Sequence, residues 1–418
     1  MNGSVAGAAG LGRTRRVVFA RALEESFVAY VLVTSTGAVL PLLALGTDPS
    51  LSAEDSALLR LALVPVLLGA PLLALARARA VLAALRDTPL LVLLVVWVAC
   101  STLWSVAPEI TARRALAFAT FSLLAVVLAA SFTPRALLER LVWLALALMG
   151  ASLVFRLALP ELGTMSDGAW RGAFTHKNGL GQAANLAVLV LLLAWRHRVG
   201  PRPIVLLGLG LALLALVASR SANSLLVTLV GGALLLATSA AVHPLARAAI
   251  VSAGFALLAV LALVLLLFPA ELAGLLGRDP TLTGRVPLWS MVLAHIQERP
   301  WTGWGYQAFW VVPAFAEYVL STLGWPAPNA HSGYLETALG LGWPGLALVL
   351  LLLGQALGRA WRTFLAGDRL LGELALVLLL AFSVRNLVES ELLQQSGILW
   401  LVSATLLVAC RRERARRP

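Results

Sequence analysis

An all-α polytopic membrane protein with about twelve transmembrane helices is the fold class that this sequence predicts. Of its 418 residues, 60% are hydrophobic and only 12% are charged, which leaves too few charges for a soluble protein of this length. Apolar stretches near the roughly 20 residues needed to cross a hydrocarbon core recur from end to end. They are runs of Leu, Ala and Val without the apolar and polar alternation of a barrel, so helices must satisfy the backbone.

Twelve stretches are predicted to span the membrane, with boundaries set by hydropathy. They are residues 27–46, 57–76, 88–104, 114–131, 137–157, 178–195, 203–219, 222–241, 247–268, 334–355, 370–388 and 392–410. Two outward connections are longer than the others, at 158–177 and at 270–333. The chain therefore divides into N-terminal helices 1–269, which include the shorter of these loops, the large loop 270–333, and C-terminal helices with a basic tail, 334–418.

Arginine-rich segments fall on one face of the bundle if every predicted span crosses. Among them are the loops "ARARAVLAALRD" (76–87) and "RHRVGPRP" (196–203) and the tail "RRERARRP" (411–418), whereas the intervening loops carry few or no cations. That face and both termini are cytoplasmic by the positive-inside rule. The net charge of +12 therefore reflects the membrane topology and contact with membrane lipids, and it does not indicate a nucleic acid partner.

The loop 270–333 far exceeds ordinary connection lengths, which favours a binding or lid role. Within it, "VPLWSMVLAHIQER" carries Leu288, Met291, Val292 and Ile296 at helical spacing. We predict an amphipathic helix here that rests on the bundle or on the lipid surface.

Six cations lie near predicted outer helix ends, against the positive-inside bias, and each needs a reason. They are Arg171, Lys177, Arg220, Arg278, Arg285 and Arg385, with His176 and His331 at a similar level. Lys177 is the only lysine of the chain and lies between His176 and Asn178. The alternative explanation for the arginines is headgroup contacts or pairing with an acidic residue, namely Asp279, Glu317, Glu389 or Glu391. Coding bias is the alternative for Lys177.

Guanidinium and ammonium groups suit phosphate oxygens, and the diphosphate head of a lipid-linked sugar is the obvious such ligand at an outer membrane surface. Transfer of that sugar needs cations for the departing diphosphate and a base for the acceptor hydroxyl. His331, in "PNAHSGYLETALGLGWPG" before the tenth predicted span, is the candidate general base. Lys177 is a candidate secondary donor-binding residue, because the first turn of a helix favours anions.

Three segments together resemble the marks of the O-antigen ligase/polymerase superfamily and are nearest to its exopolysaccharide-polymerase branch. They are "WRGAFTHKNGLGQ" (170–182), "GRDPTLTGRVPLW" (277–289) and "NAHSGYLETALGLGWPG" (329–345), within a resemblance that covers about residues 165–360. The resemblance implies a GT-C-type glycosyltransferase bundle in the bacterial inner membrane, with its large loop and active site facing the periplasm. It also implies metal-independent, inverting transfer from an undecaprenyl-diphosphate-linked oligosaccharide donor to a glycan acceptor, without a cofactor.

The same resemblance implies roles for particular residues. His331 matches the base of the family. Arg171 and Arg285 match the arginines of the first two motifs, which would bind the donor diphosphate, and Arg220 in "ASRSANS" matches a further position of this kind. Three residues near these are additional candidates: His176, Asn178 and Arg278.

The branches of the superfamily differ in acceptor, and the residues leave the acceptor open. Polymerisation of repeats, with a partner that controls chain length, is preferred because of the "THKNGLG" string. Ligation to lipid A core and transfer of the oligosaccharide to protein are the alternatives. A twelve-helix transporter would place its charges near the bilayer midplane, and a scaffold would not need cations grouped around histidines, so both fit less well.

Other polar and aromatic residues receive ordinary structural interpretations. The acidic pair in "ESE" (389–391) is interpreted as part of a helix-connecting turn and not as a metal site. His197 and His243 are predicted to be solvated on the cytoplasmic side, and His295 is predicted to face an interface. Four tryptophans of the large loop either stack on sugars or anchor the membrane interface: Trp301, Trp304, Trp310 and Trp325.

Overall fold

A computed structural model describes residues 21–38, 57–239 and 284–412, and within these ranges the chain is helical apart from turns and one isolated β-bridge between Thr164 and Trp170. The first helices are α1 (21–34), α2 (Ala57–Ala76), α3 (Ala78–Arg86), α4 (Pro89–Cys100), α5 (Pro108–Ser131), α6 (Pro134–Ala158), α7 (Pro160–Gly163), α8 (Lys177–His197), α9 (Arg202–Ala218) and α10 (Ala222–Ser239). The later helices are α11 (Arg285–Glu298), α12 (Pro313–Leu323), α13 (Gly333–Leu365), α14 (Arg369–Arg385) and α15 (Ile398–Arg412).

Five of these helices, α5, α6, α8, α10 and α13, are long and apolar enough to cross a membrane. Helices α2 and α3 meet at a bend of 94° and make a sixth candidate span if they are counted together, and α4, α9 and α15 are shorter apolar helices. The predicted class of polytopic helical membrane protein is confirmed. The described ranges hold five or six candidate spans where twelve were predicted for the whole chain, and predicted span 247–268 lies outside them, as does Arg278.

The prediction that residues 76–87 form a loop was wrong, because most of them form helix α3. Its buried residues Val81 and Ala84 are three positions apart and so lie on one face, which packs against α5. Arg79 and Arg86 are exposed. The arginines made the segment look like a loop, whereas they form the polar side of a short amphipathic helix.

Helix α8 lies inside the bundle and packs against α6, α9, α10 and α14. Nearly every residue from Leu180 to Ala194 is buried, and several are alanines that allow close approach of the neighbouring helices. By contrast, α9 exposes large side chains such as Leu206, Leu207 and Leu214. An apolar exterior around a buried centre is the arrangement expected in lipid.

Residues 301–305, in the middle of the large loop, lie against a break in α13. Gly342 has φ +69°, and a Cβ there would lie 2.6 Å from the carbonyl carbon of Trp301. Two residues further on, Pro344 removes another helical hydrogen bond donor. The freed carbonyl of Gly340 accepts a hydrogen bond from the Gly305 amide at 3.0 Å. The glycines of "GLGWPG" therefore let the backbone of 301–305 lie directly on the helix.

The predicted amphipathic helix of the large loop is confirmed as α11. Its four predicted apolar residues are buried in a second, smaller hydrophobic cluster, and the helix packs against α13. His295 belongs to the same cluster, with its ring 5.0 Å from that of Phe309 and its Nδ1 donating to the Met291 carbonyl at 2.9 Å. His295 therefore packs among aromatic rings inside the loop and does not lie at an exposed interface as predicted.

Candidate functional site

The first motif places three polar residues at the start of α8. His176 is the N-cap, and its Nδ1 accepts a hydrogen bond from the Asn178 amide at 3.3 Å. Lys177 is the first residue of the helix, and its Nζ lies 2.5 Å from Oδ2 of Asp167, at the tip of the preceding loop. Burial, and after it the neighbouring Lys177 ammonium, lower the pKa of His176 below its usual 6.5. The imidazole of His176 is therefore mainly neutral at pH 7.

Asp167 brings together two of the cations predicted to bind phosphate. Besides the ion pair with Lys177, its main-chain carbonyl accepts a hydrogen bond from Nη1 of Arg220 at 2.9 Å. Arg220 precedes α10 and has φ +51°, a strained value for a side chain of this size. The hydrogen bond from Lys177 is the main cause that lowers the pKa of the Asp167 carboxyl. Asp167 thus pairs with Lys177 through its carboxylate and holds Arg220 through its main-chain carbonyl.

Arg171 lies in the same loop but points to its backbone. Its Nε donates to the carbonyl of Leu162 at 2.7 Å, and its Nη2 donates to the carbonyl of Glu161 at 2.9 Å. These carbonyls belong to the short helix α7, whose last carbonyls lack helical partners. The contacts give Arg171 a defined role in shaping the loop, and they leave its predicted diphosphate contact untested.

Glu389, in the connection between α14 and α15, joins residues of all three motifs. Its Oε1 lies 3.4 Å from Nδ2 of Asn178 and 3.3 Å from Nη2 of Arg285. Its Oε2 lies 3.8 Å from Nδ1 of His331. The last distance is longer than a hydrogen bond, so these two groups act on each other through charge.

The backbone holds His331 in an unusual conformation immediately before α13. Its φ is +46°, and its amide donates to Oδ1 of Asn329 at 2.9 Å. The next amide, of Ser332, donates to the Ser390 hydroxyl at 3.0 Å, and the amide of Gly333 donates to the carbonyl of Glu389 at 2.8 Å. The segment that carries His331 is therefore tied to the segment that carries Glu389.

The surroundings of Glu389 keep it ionised. Burial raises its pKa, but His331, Arg385 and Arg285 together lower it by more, so that the pKa lies below its ordinary 4.5. The side chain is only 12% exposed, which strengthens these interactions relative to water. At neutral pH a negative charge faces both His331 and Arg285.

A buried ion pair supports this connection from below. Arg385 is 2% exposed, and its Nε and Nη2 lie 3.0 and 2.9 Å from Oε1 of Glu391. Its Nη1 donates to the Ser224 hydroxyl at 3.1 Å, and Gln182 donates to the other oxygen of Glu391. Gln182 is four residues after Asn178, so one face of α8 contacts both acidic residues of the connection. Helices α8, α10 and α14 are locked together directly beneath the site.

Glu389 and Glu391 lie in the connection between α14 and α15, so their interpretation as part of a helix-connecting turn is confirmed. Glu389 pairs with Arg285 and Glu391 pairs with Arg385, which are among the pairings that the sequence left open. The sequence did not predict that Glu389 faces His331. Within the described ranges no three His, Cys, Asp or Glu side chains are grouped as metal ligands would be.

The prediction that His197 is solvated was wrong. Its Nε2 lies 2.9 Å from Oε2 of Glu373, whose side chain is fully buried, and Arg196 binds both oxygens of that carboxylate at 2.6 and 2.8 Å. This cluster joins the end of α8 to the start of α14. It lies at the opposite ends of the two helices that carry Asn178 and Arg385, so it locks their register. His243 lies outside the described residues.

Comparison with known proteins agrees with the motifs. A family model described as O-antigen ligase matches residues 207–350, a range that holds Arg220, Arg285 and His331 and begins after the first motif. The chain is also 28% identical over 356 residues to the exopolysaccharide production protein ExoQ of Rhizobium meliloti (strain 1021), which covers 76% of this chain and 77% of that protein. These similarities confirm the predicted resemblance to the O-antigen ligase/polymerase superfamily and its exopolysaccharide branch.

Proposed function

We propose that this chain is a membrane glycosyltransferase that polymerises lipid-diphosphate-linked oligosaccharide repeats during surface polysaccharide biosynthesis. The observation that carries the proposal is the meeting of His331, Arg285 and Asn178 at Glu389, because it combines a base, a phosphate-binding cation and a fixed counter-charge. The similarity to a protein of exopolysaccharide production supports the polymerase branch. The donor is an undecaprenyl-diphosphate-linked glycan, and the acceptor is the glycan of a second repeat.

In the proposed reaction, the acceptor hydroxyl oxygen attacks the anomeric carbon of the donor sugar from the face opposite the diphosphate. The new glycosidic bond forms as the bond from the anomeric carbon to the diphosphate oxygen breaks, and the leaving diphosphate keeps the electron pair. His331 accepts the hydroxyl proton. Attack from the opposite face inverts the configuration at the anomeric carbon.

His331 is suited to this step because Nδ1 faces Glu389 and leaves Nε2 for the acceptor. An ionised carboxylate beside Nδ1 favours the tautomer with its proton there, and it stabilises the imidazolium that forms. A contact of 3.8 Å without substrate is compatible with this role, since catalytic hydrogen bonds often shorten in the substrate complex. Glu389 is thus a positioning residue for the base.

The charge of the leaving diphosphate is stabilised by cations without a metal or cofactor. Arg285 shares the partner Glu389 with His331, and its guanidinium suits a bidentate phosphate contact. Lys177 and Arg220 form the second group, in which a phosphate exchanges with the Asp167 carboxylate. Arg171 contributes to diphosphate binding by holding the loop that carries Asp167. His176, Asn178 and Arg278 are further residues that contact the glycan donor.

The proposal includes a twelve-span, GT-C-type topology in the bacterial inner membrane, with 158–177 and 270–333 facing the periplasm and both termini in the cytoplasm. The arginine asymmetry of the sequence supports it. Alkaline phosphatase fused at residue 310 should be active. An inactive fusion there would place the site on the other side of the membrane.

Purified protein with a lipid-diphosphate donor tests the base. His331→Ala should elute as a folded monodisperse protein and reduce transfer by roughly 100-fold or more, the scale of a lost general base. Near-normal turnover of this variant would exclude an essential base role.

Deletion of the gene in its host separates the branches of the superfamily. Loss of a polymerase should leave single lipid-linked repeats and no long surface glycan. Accumulation of long lipid-linked polymer would instead indicate ligation to lipid A core, and loss of glycan from proteins alone would indicate protein glycosylation. A partner that controls chain length would change the length distribution but not the presence of product.

A further inference from the structure

Most tryptophans of the large loop make contacts that hold the loop itself together. Three of them donate the indole N–H to a carbonyl or carboxylate of the loop or of α13, at 2.8 to 2.9 Å: Trp289, Trp304 and Trp310. Trp301 is 71% exposed, and its backbone lies against the break of α13 at Gly342. Gly342 is eleven residues beyond His331, which is about 16 Å along a helix. Among the described residues, the ring contact of His331 is made with a different tryptophan, Trp325.

Trp325 is placed differently, between the candidate base and the start of α11. Its ring centroid lies 6.1 Å from that of His331, with the planes 41° apart. On the other side, a Cβ on Gly284 would lie 3.0 Å from the indole nitrogen, and Gly284 has φ +83°. The next residue is Arg285. The half-buried indole therefore borders both the base and the phosphate-binding arginine.

The segment that carries Trp325 is fixed at both ends. Gly324, with φ +76°, ends α12 immediately before it. At the other end, the Ala330 amide donates to Oε2 of Glu336 at 2.8 Å, and the Ala330 carbonyl accepts from Trp289 at 2.9 Å. Two prolines between these points restrict the backbone further. A ring held in this way can bind a ligand without losing much conformational freedom.

We propose that Trp325 is the platform on which the acceptor sugar ring lies while His331 removes its hydroxyl proton. The apolar C–H face of a sugar packs on an aromatic face, and this indole is the one beside the base. The sugar concerned is the acceptor's, because the hydroxyl that His331 deprotonates belongs to the acceptor. This inference rests on the proposed glycosyltransferase function and adds the residue that selects the acceptor.

Transfer rates measured against acceptor concentration at saturating donor test the platform. Trp325→Leu should raise the acceptor KM about five- to tenfold, the order expected when one aromatic contact is lost, and leave the donor KM unchanged. Trp325→Phe keeps an aromatic face and should raise the acceptor KM less than Trp325→Leu does. Trp301→Leu is the matched control and should behave as the parent.

A binding measurement separates failure of the platform from failure of the proposed function. The probe is the oligosaccharide repeat released by mild acid from the lipid that accumulates in the deletion strain. Tryptophan fluorescence should change on its addition to the parent and to Trp301→Leu, and the change should be lost in Trp325→Phe. Transfer by the parent with an unchanged acceptor KM in Trp325→Leu, or an equal rise in the donor KM, would overturn the platform alone. A parent that neither transfers glycan nor responds to the probe would overturn both.

Discussion

Replacing Glu389 by glutamine removes one negative charge from the centre of the candidate site and keeps the shape of the side chain. In the parent this charge lies 3.8 Å from Nδ1 of His331 and 3.3 Å from Nη2 of Arg285. In the proposed reaction, His331 gains a positive charge as it accepts the proton of the acceptor hydroxyl. The carboxylate therefore stabilises the transition state more than the ground state, which is the condition for an effect on kcat.

The size of the effect follows from the separation and the burial. Two unit charges about 4 Å apart attract by about 4 kcal/mol near a protein surface and about 1 kcal/mol in bulk water. Because His331 is 23% exposed and Glu389 is 12% exposed, water still screens the pair in part, and we take a value between these limits. A loss of about 2 to 3 kcal/mol corresponds to a decrease of about 30- to 150-fold in kcat.

The assay is steady-state transfer by purified protein, with Glu317→Gln as the matched control. Glu317 is exposed on α12 of the same loop, so its neutralisation should leave kcat unchanged. Thermal unfolding of both variants should resemble that of the parent. A Glu389→Gln variant with kcat within about twofold of the parent would show that Glu389 does not assist the base.

The pH dependence gives a second check. The pKa of Glu389 is lowered below 4.5, so its charge is present above that value and is lost only as the pH falls through the lower, folded-state pKa. Infrared difference spectra of the parent against Glu389→Gln should therefore show an ionised carboxylate throughout about pH 6 to pH 8. A protonated-carboxyl band within this range would mean that Glu389 is neutral there, contrary to its surroundings.

Further predictions concern the cations. Arg285→Lys should lower kcat/KM by about tenfold, because an ammonium keeps the charge but loses the two-pronged contact, and a parental rate would exclude bidentate recognition. Lys177→Arg should lower transfer activity although it keeps the positive charge, and Lys177→Ala should lower it further, mainly by raising the donor KM. An arginine variant as active as the parent would mean that Lys177 reflects only the coding bias of the genome. Asp167→Asn should lower the donor KM, because the donor phosphate no longer competes with a carboxylate for Lys177; a raised donor KM would make Asp167 a structural support. Gly284→Ala should reduce transfer, since alanine at φ +83° is strained and its Cβ meets the Trp325 indole, and parental transfer would show that this close approach is dispensable.

The sequence by itself determined the membrane class, the places of the main apolar helices and the amphipathic helix at 285–298. These properties depend on hydropathy and on spacing within one helix, which are local and can be read along the chain. Local signals also identified the helix starts at Lys177 and just after His331. They failed at 76–87, where a short amphipathic helix and a basic loop have similar compositions.

Only the tertiary structure decided which charges meet. Glu389 is separated from Arg285 by 104 residues and from Asn178 by 211, and no periodicity connects positions so far apart. Lys177 and its partner Asp167 are only ten residues apart, but hydropathy and helical spacing do not show the turn that brings them together. Charges near membrane depth require partners, but the choice among several outward carboxylates depends on how α8, α10, α13 and α14 pack. That packing sets the distances, and the distances place Glu389 beside His331 and Glu391 in the buried ion pair with Arg385.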